Sequence, residues 1–157
     1  VVKLSAADFI IKQMNNAVDK GAKKMIDENK FIFPKEHKNY LVPQVLTSVN
    51  HDMDFMTEET FGPCVGIMKV KDEHEAIKLM NDSPYGLTAS IWTKDLEIAE
   101  KIGNQVQTGT FYMNRCDYLD PALSWTGVKE TGKGCSLSEI AYEKLTSPKS
   151  FHLRKEQ

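Results

Sequence analysis

The feature that most restricts the fold is an alternation, between Cys64 and Met113, of strand-like runs with helix-like ones. Cys64–Val70, the alternating Leu87, Ala89 and Ile91, and Gly109–Met113 read as strands, whereas Asp72–Asn81 and Asp95–Gln105 carry apolar residues at helical spacing. Asp72 and Glu75 are spaced as a cap pair for the first helix, and Ser83-Pro84-Tyr85-Gly86 closes it with a turn. In the second, Ile98, Ala99 and Ile102 are expected to face inward. A βαβαβ order implies an α/β fold with parallel strands, right-handed crossovers and helices flanking the sheet. Functional loops of such folds lie beyond the carboxyl ends of the strands. The loop after Met113 is therefore a candidate for substrate contacts, and it is long before the next helical run, Leu137–Leu145, which Ser147-Pro148 stops.

Upstream, Ser5 and Asp8 form a capping-box pattern, and Ile10, Met14, Ala17, Val18 and Met25 recur at helical spacing, so the opening segment reads as an amphipathic helix packed on a sheet. Tyr40–Val49 is rich in strand formers, while Pro43 argues for an edge or irregular strand. Asp27-Glu28-Asn29-Lys30 and Lys35-Glu36-His37-Lys38 bracket a polar region that should face solvent. A length of 157 residues with 41% hydrophobic content suits one modest core and a single domain. The formal charge of -2 gives no electrostatic reason to expect nucleic acid or an anionic membrane as partner. No apolar run approaches the roughly 18 residues of a membrane helix. Val1–Ser5 also lacks the charged and apolar regions of a signal peptide. The 3 cysteines lack paired spacing, which fits free thiols in a reducing compartment, the cytoplasm or an organellar matrix. His37, His51, His74 and His152 are scattered without ligand spacing, so no metal site is expected.

Chemistry concentrates in Glu58-Glu59-Thr60-Phe61-Gly62-Pro63. A carboxylate accepts two hydrogen bonds from a sugar diol, an aromatic face covers a planar ring, and Gly-Pro lets the backbone bend sharply. Those residue types suit a nucleotide ribose; a solvated acidic turn before a strand is the plainer alternative. A second motif points to another class, because Gly127–Lys133 matches the Gly-x-x-x-x-Gly-Lys opening of a phosphate-binding loop. That loop needs a Ser or Thr after its lysine, where this chain has Gly134, and Ser136 comes two positions too late.

The acidic turn is followed in order by Asn81-Asp82-Ser83-Pro84-Tyr85-Gly86-Leu87-Thr88-Ala89, Thr93-Lys94-Asp95, Gly109-Thr110-Phe111-Tyr112-Met113-Asn114, Trp125-Thr126-Gly127-Val128-Lys129 and Gly132-Lys133-Gly134. This ordered series resembles the C-terminal portion of the catalytic domain of an NAD(P)-dependent aldehyde dehydrogenase, and the resemblance covers nearly the whole chain. The family's thiol nucleophile sits in a segment like Phe-x-Asn-x-Gly-Gln-x-Cys, which this chain lacks; Cys64, Cys116 and Cys135 have other neighbours. By the resemblance, that thiol, the general-base glutamate, the oxyanion-stabilising asparagine and the Gly-rich dinucleotide loop belong to an upstream part.

What the resemblance implies is a division of labour. The complete enzyme would oxidise an aldehyde to a carboxylic acid through a cysteine thiohemiacetal, with NAD or NADP as hydride acceptor. This chain alone is expected to be inactive, with the N-terminal half of the enzyme, an aldehyde substrate and further copies in a homo-oligomer as its partners. Residues 1–149 would be catalytic-domain sequence and residues 150–157 an oligomerisation strand and tail, with Phe151–Arg154 as the strand. Glu59 takes the place of the glutamate that binds the nicotinamide-side ribose, Phe61 is the aromatic beside it, and Glu58 supports the turn or faces elsewhere. Trp125 stands where many relatives have Phe, near the nicotinamide and the substrate tunnel; plain burial accounts for it equally well. Asp117, Tyr118 and Leu119 would line the aldehyde entrance, with Asp117 or Arg115 orienting a polar tail, unless Asp117 and Asp120 cap turns and Leu119 fills the core. The alternative for the whole chain is a non-catalytic interaction or regulatory module of the same fold.

Overall fold

In the computed structural model, which describes residues 1–32 and 36–155, the run without Gly or Pro from Leu4 to Asp19 forms helix α1. Lys35, within the polar stretch noted above, and Glu156 and Gln157 of the tail lie outside the described residues. The chain divides into two compact units, Val1–Lys71 and Asp72–Gln157, each with its own hydrophobic cluster where length alone suggested one core.

In the first unit α1 starts from Lys3, whose extended backbone precedes Leu4, so Ser5 and Asp8 fall inside the helix and the capping box does not form. A Schellman motif ends it: the Gly21 and Ala22 amides donate to the Val18 and Ala17 carbonyls, with Gly21 at φ +104°. Because the helix stops there, Met25 is no part of its apolar stripe and stands 60% exposed, and Val18 lies on the stripe's margin. Ile10, Met14 and Ala17 are buried against Leu46, Val49, Met53 and Phe55.

Strand β1 (Lys23–Lys24) runs antiparallel to β2 (Gln44–Thr47), and β2 runs parallel to β3 (Cys64–Ile67). Thus β2 is the central strand and not an edge; Pro43 sits just ahead of it, where its missing N–H costs no ladder bond. Gln44, 2% exposed, uses its side-chain amide as a strand partner, with Oε1 accepting from the Met25 and Ile26 amides and Nε2 donating to the Ile26 carbonyl. The short helix α2 (Asp54–Thr57) seats Phe55 in the core.

The second unit opens with α3 (Glu73–Asn81), capped as expected by the Asp72 carboxylate accepting from the Glu75 amide at 2.8 Å. After the two-residue strand β4 (Tyr85–Gly86) come β5 (Thr88–Ile91), α4 (Leu96–Gly103) and β6 (Thr110–Met113), with β5 and β6 parallel. Ala99, Ile102 and Val106 define the inner face of α4 and its exit; Ile98, expected inward, falls on the flank and is 43% exposed. Three further two-residue strands follow, β7 (Trp125–Thr126), β8 (Val128–Lys129) and β9 (Cys135–Ser136), and then α5 (Ile140–Leu145). β8 pairs with β4 and β7 with β9, both antiparallel.

The α/β class and its parallel strand pairing stand: in the first unit β3 runs parallel to β2, and in the second β5 runs parallel to β6. Residues 146–155 join no ladder among the described residues, and Phe151 and Leu153 are 71% and 86% exposed. Among the described residues no helix is long and apolar enough to cross a membrane.

Candidate active site

In the first unit the acidic turn is anchored at alternate residues. The Glu58 amide closes α2 by donating to the Asp54 carbonyl at 2.8 Å, while the residue itself is exposed. Thr60 Oγ1 donates to Oε1 of the buried Gln13 at 2.9 Å, and Gly62 backs onto Ile10 of the same helix. Thr60 and Gly62 are thus turned to α1, whereas Glu59 and Phe61 project to solvent. Glu59 is exposed and Phe61 is 78% exposed. An aromatic ring left this bare beside a free carboxylate has no packing role in the unit, and the pair fits a diol held under a flat ring.

One residue farther on, Cys64 begins β3 and packs against the core, where burial pushes its thiol above the ordinary value. A raised thiol pKa leaves less thiolate at a given pH, the reverse of what a nucleophile requires. Alkylation by iodoacetamide near about pH 8 is expected to modify the exposed Cys116 well before Cys64, with Cys64 catching up only as pH rises. Peptide mass spectrometry reads both rates, and equal rates would contradict the burial.

In the second unit the ends of β5 and β6 are tied together by Asn114, whose φ of 56° turns its amide back on Thr93. Its Oδ1 accepts from the Thr93 amide at 2.9 Å and its Nδ2 donates to the Thr93 carbonyl at 2.7 Å. From this clamp the 115–124 loop departs. Tyr112 OH, on a residue 9% exposed, donates to the Tyr118 carbonyl at 2.9 Å and reaches the Asp117 carboxylate at 3.5 Å. The Arg115 guanidinium lies 4.0 Å over the Tyr118 ring, a cation–π contact that draws its charge onto the loop. Asp120 caps a turn by accepting from the Ala122 amide. Leu119 is 60% exposed, so it does not fill the core.

Trp125 in β7 is half-buried and shares a cleft with Tyr118, Tyr112, Leu123 and Leu137. The structure therefore brings Asp117, Tyr118 and Trp125 around one place, while Glu59 and Phe61 stand together on the other unit. The phosphate-loop match is overturned here. Its first residues form β8, and Lys133 is followed by β9, not by a helix whose N-terminal amides would face a phosphate. Lys129, at φ 57°, donates from Nζ to the Asn81 and Ser83 carbonyls at the end of α3. Among the described residues no three His, Cys, Asp or Glu side chains gather as a metal set. Tyr112, Asn114, Thr60 and Leu137 were not singled out by sequence; the alternation of Thr60 with Glu59 and Phe61 was the one available signal.

Residues 1–151 match the profile of the aldehyde dehydrogenase family. An aldehyde dehydrogenase of Emericella nidulans is 38% identical over 115 residues, covering 73% of this chain and 23% of that protein. The succinate-semialdehyde dehydrogenase [NADP(+)] of Deinococcus radiodurans is 33% identical over 144 residues, 92% of this chain and 30% of the relative. Among solved structures, Mycobacterium tuberculosis aldehyde dehydrogenase complexed with NAD+ superposes with a TM-score of 0.83 at 28% identity, over 94% of this chain and 30% of that one. The chain thus spans about a quarter to a third of the length of these proteins.

Proposed function

Since the chain belongs to the aldehyde dehydrogenase family, we propose that it is the C-terminal part of the catalytic domain of an enzyme that oxidises an aldehyde to a carboxylic acid. The observation that carries this reading is the outward pair Glu59 and Phe61 on a turn fixed to α1 through Thr60. Glu59 accepts hydrogen bonds from the ribose of NAD or NADP, and Phe61 lies beside it. The dinucleotide, when bound, supplies the hydride acceptor. Tyr118 and Leu119 form the apolar side of the aldehyde entrance, Asp117 the polar one, and Trp125 takes the cofactor-binding aromatic position near the nicotinamide. The thiol and the Gly-rich loop come from the rest of the enzyme, in keeping with the burial of Cys64 and with the share of the relatives that this chain spans. An oligomerisation strand and tail over 150–157 is supported by the exposure of Phe151 and Leu153. Free thiols at Cys64, Cys116 and Cys135 suit a reducing compartment, cytoplasm or organellar matrix.

Glu59→Gln keeps the shape and removes the charge. In the complete enzyme it is expected to lower kcat/KM for the cofactor about tenfold or more, the worth of a hydrogen bond to a charged group, while the isolated chain shows no aldehyde oxidation. Steady-state NAD(P)H formation measures both. Unchanged cofactor kinetics would remove Glu59 from the site, and turnover by the chain alone would place the nucleophile within it.

A further inference from the structure

The cleft that holds Tyr118 and Trp125 is closed by a residue with no assigned part in the reaction. Leu137 and Ser138 are consecutive and both left-handed, with φ of 63° and 56°. Neither is glycine, and for a bulky residue such as Leu this conformation is a steric outlier that persists only where its surroundings impose it. The surroundings here are definite. Turned this way, Ser138 donates its amide to the Pro121 carbonyl at 2.9 Å, while Tyr112 OH holds the Tyr118 carbonyl. The substrate loop is thereby fixed at two carbonyls from outside itself, and the same turn directs Leu137 into the cleft. The space left is only about 10 Å³, room for little more than one water molecule. Thr110 also lines it, its Oγ1 buried without a hydrogen-bond partner, and Asp120 and Ser124 share the lining with the aromatic and aliphatic side chains.

We propose that Leu137 is a specificity-determining residue: held in a left-handed turn, it fills the cleft between Tyr118 and Trp125 and keeps a bulky apolar group of the aldehyde out of it. This rests on the reading of Tyr118 and Trp125 as substrate wall. The strain is retained because the turn that creates it also pins the loop through Ser138.

The test needs no turnover, so it separates from the dehydrogenase reading. The chain has 2 tryptophans, and Trp92 is 71% exposed; Trp92→Phe leaves Trp125 as the sole indole reporter. Benzamide and acetamide serve as unreactive carbonyl probes, one bulky and one small. Leu137→Ala is expected to tighten benzamide relative to acetamide by about tenfold, as gaining room for one or two methylenes does in an apolar pocket. Leu137→Met, which conserves volume, is expected to leave the ratio unchanged. An unaltered ratio in Leu137→Ala, or no saturable Trp125 response to benzamide in it, overturns the proposal. Should Leu137→Ala lose its circular dichroism, Leu137→Gly carries the test, since it opens the same space and relieves the backbone. A shifted ratio alongside unchanged Glu59→Gln kinetics would keep Leu137 as gate of the cleft and discard the cofactor assignment.

Discussion

Gly109→Ala is expected to unfold much of the second unit. A Cβ at Gly109 would lie 1.6 Å from the Thr126 carbonyl oxygen and 2.5 Å from its carbon. Both are backbone atoms, so no rotamer relieves the overlap, and either β6 or β7 must move by more than an ångström. The Gly109 amide faces the Gly86 and Leu87 carbonyls, which prevents an easy retreat on the β6 side. Overpacking against flexible side chains costs about 1–3 kcal/mol; a backbone collision of this depth is expected at or beyond the top of that range. Trp125, adjacent to Thr126, provides the readout, its emission shifting red as β7 separates, with loss of amide-exchange protection in β5 and β6. Native emission and protection in Gly109→Ala would show that the strands do not approach as described. Loss of the cleft follows from the same displacement, because Tyr118 and Leu137 meet Trp125 there.

Leu46→Ala is the corresponding test of the first unit. Leu46 is 0% exposed in the central strand of the three-stranded sheet and packs among Ile10, Met14, Met53 and Phe55. Truncation of a fully buried Leu removes about 2–5 kcal/mol, against a total stability of about 5–15 kcal/mol for a typical domain. The turn bearing Glu59 and Phe61 depends on this core twice, through the Thr60 bond to Gln13 and through Gly62 against Ile10. Amide exchange across β2 and β3 should rise by orders of magnitude, and in the complete enzyme cofactor binding should weaken with it. Both tryptophans lie in the second unit, so their emission does not report this loss. Exchange that stays at native levels would mean that Leu46 is not the centre of the core.

How much of this was legible in the chain depended on whether the signal was local. The cap at Asp72 was readable because a carboxylate three residues ahead of a free amide needs nothing else to form its bond, and the structure adds the same cap at Asp95. The helices at Glu73–Asn81 and Leu96–Gly103, and the strands at Thr88–Ile91 and Thr110–Met113, fell where periodicity put them, to within a few residues. The capping box at Ser5 and Asp8 failed although its spacing was right, because the helix had already begun at Leu4. The edge assignment for the segment at Pro43 failed because a proline one residue ahead of a strand leaves the ladder intact. Two-residue strands such as β7, β8 and β9 carry no period at all; their pairing is set by what lies opposite.

The site divided along the same line. Residue type made the Glu59 and Phe61 turn suited to a ribose or to a plain acidic bend, and the family resemblance is what pointed to Asp117, Tyr118 and Trp125. What only the tertiary structure decided was which of these are free and which are held. Thr60 and Gln13 are 47 residues apart, and their bond turns Glu59 and Phe61 to solvent. Tyr112 and Ser138 grip the 115–124 loop by its carbonyls, and Leu137 enters the cleft from a backbone conformation that its own side chain disfavours. Local composition determines what a residue is able to bind; packing of segments distant in the chain determines where it points, because burial and long-range hydrogen bonds alone offset the conformational cost of fixing it there.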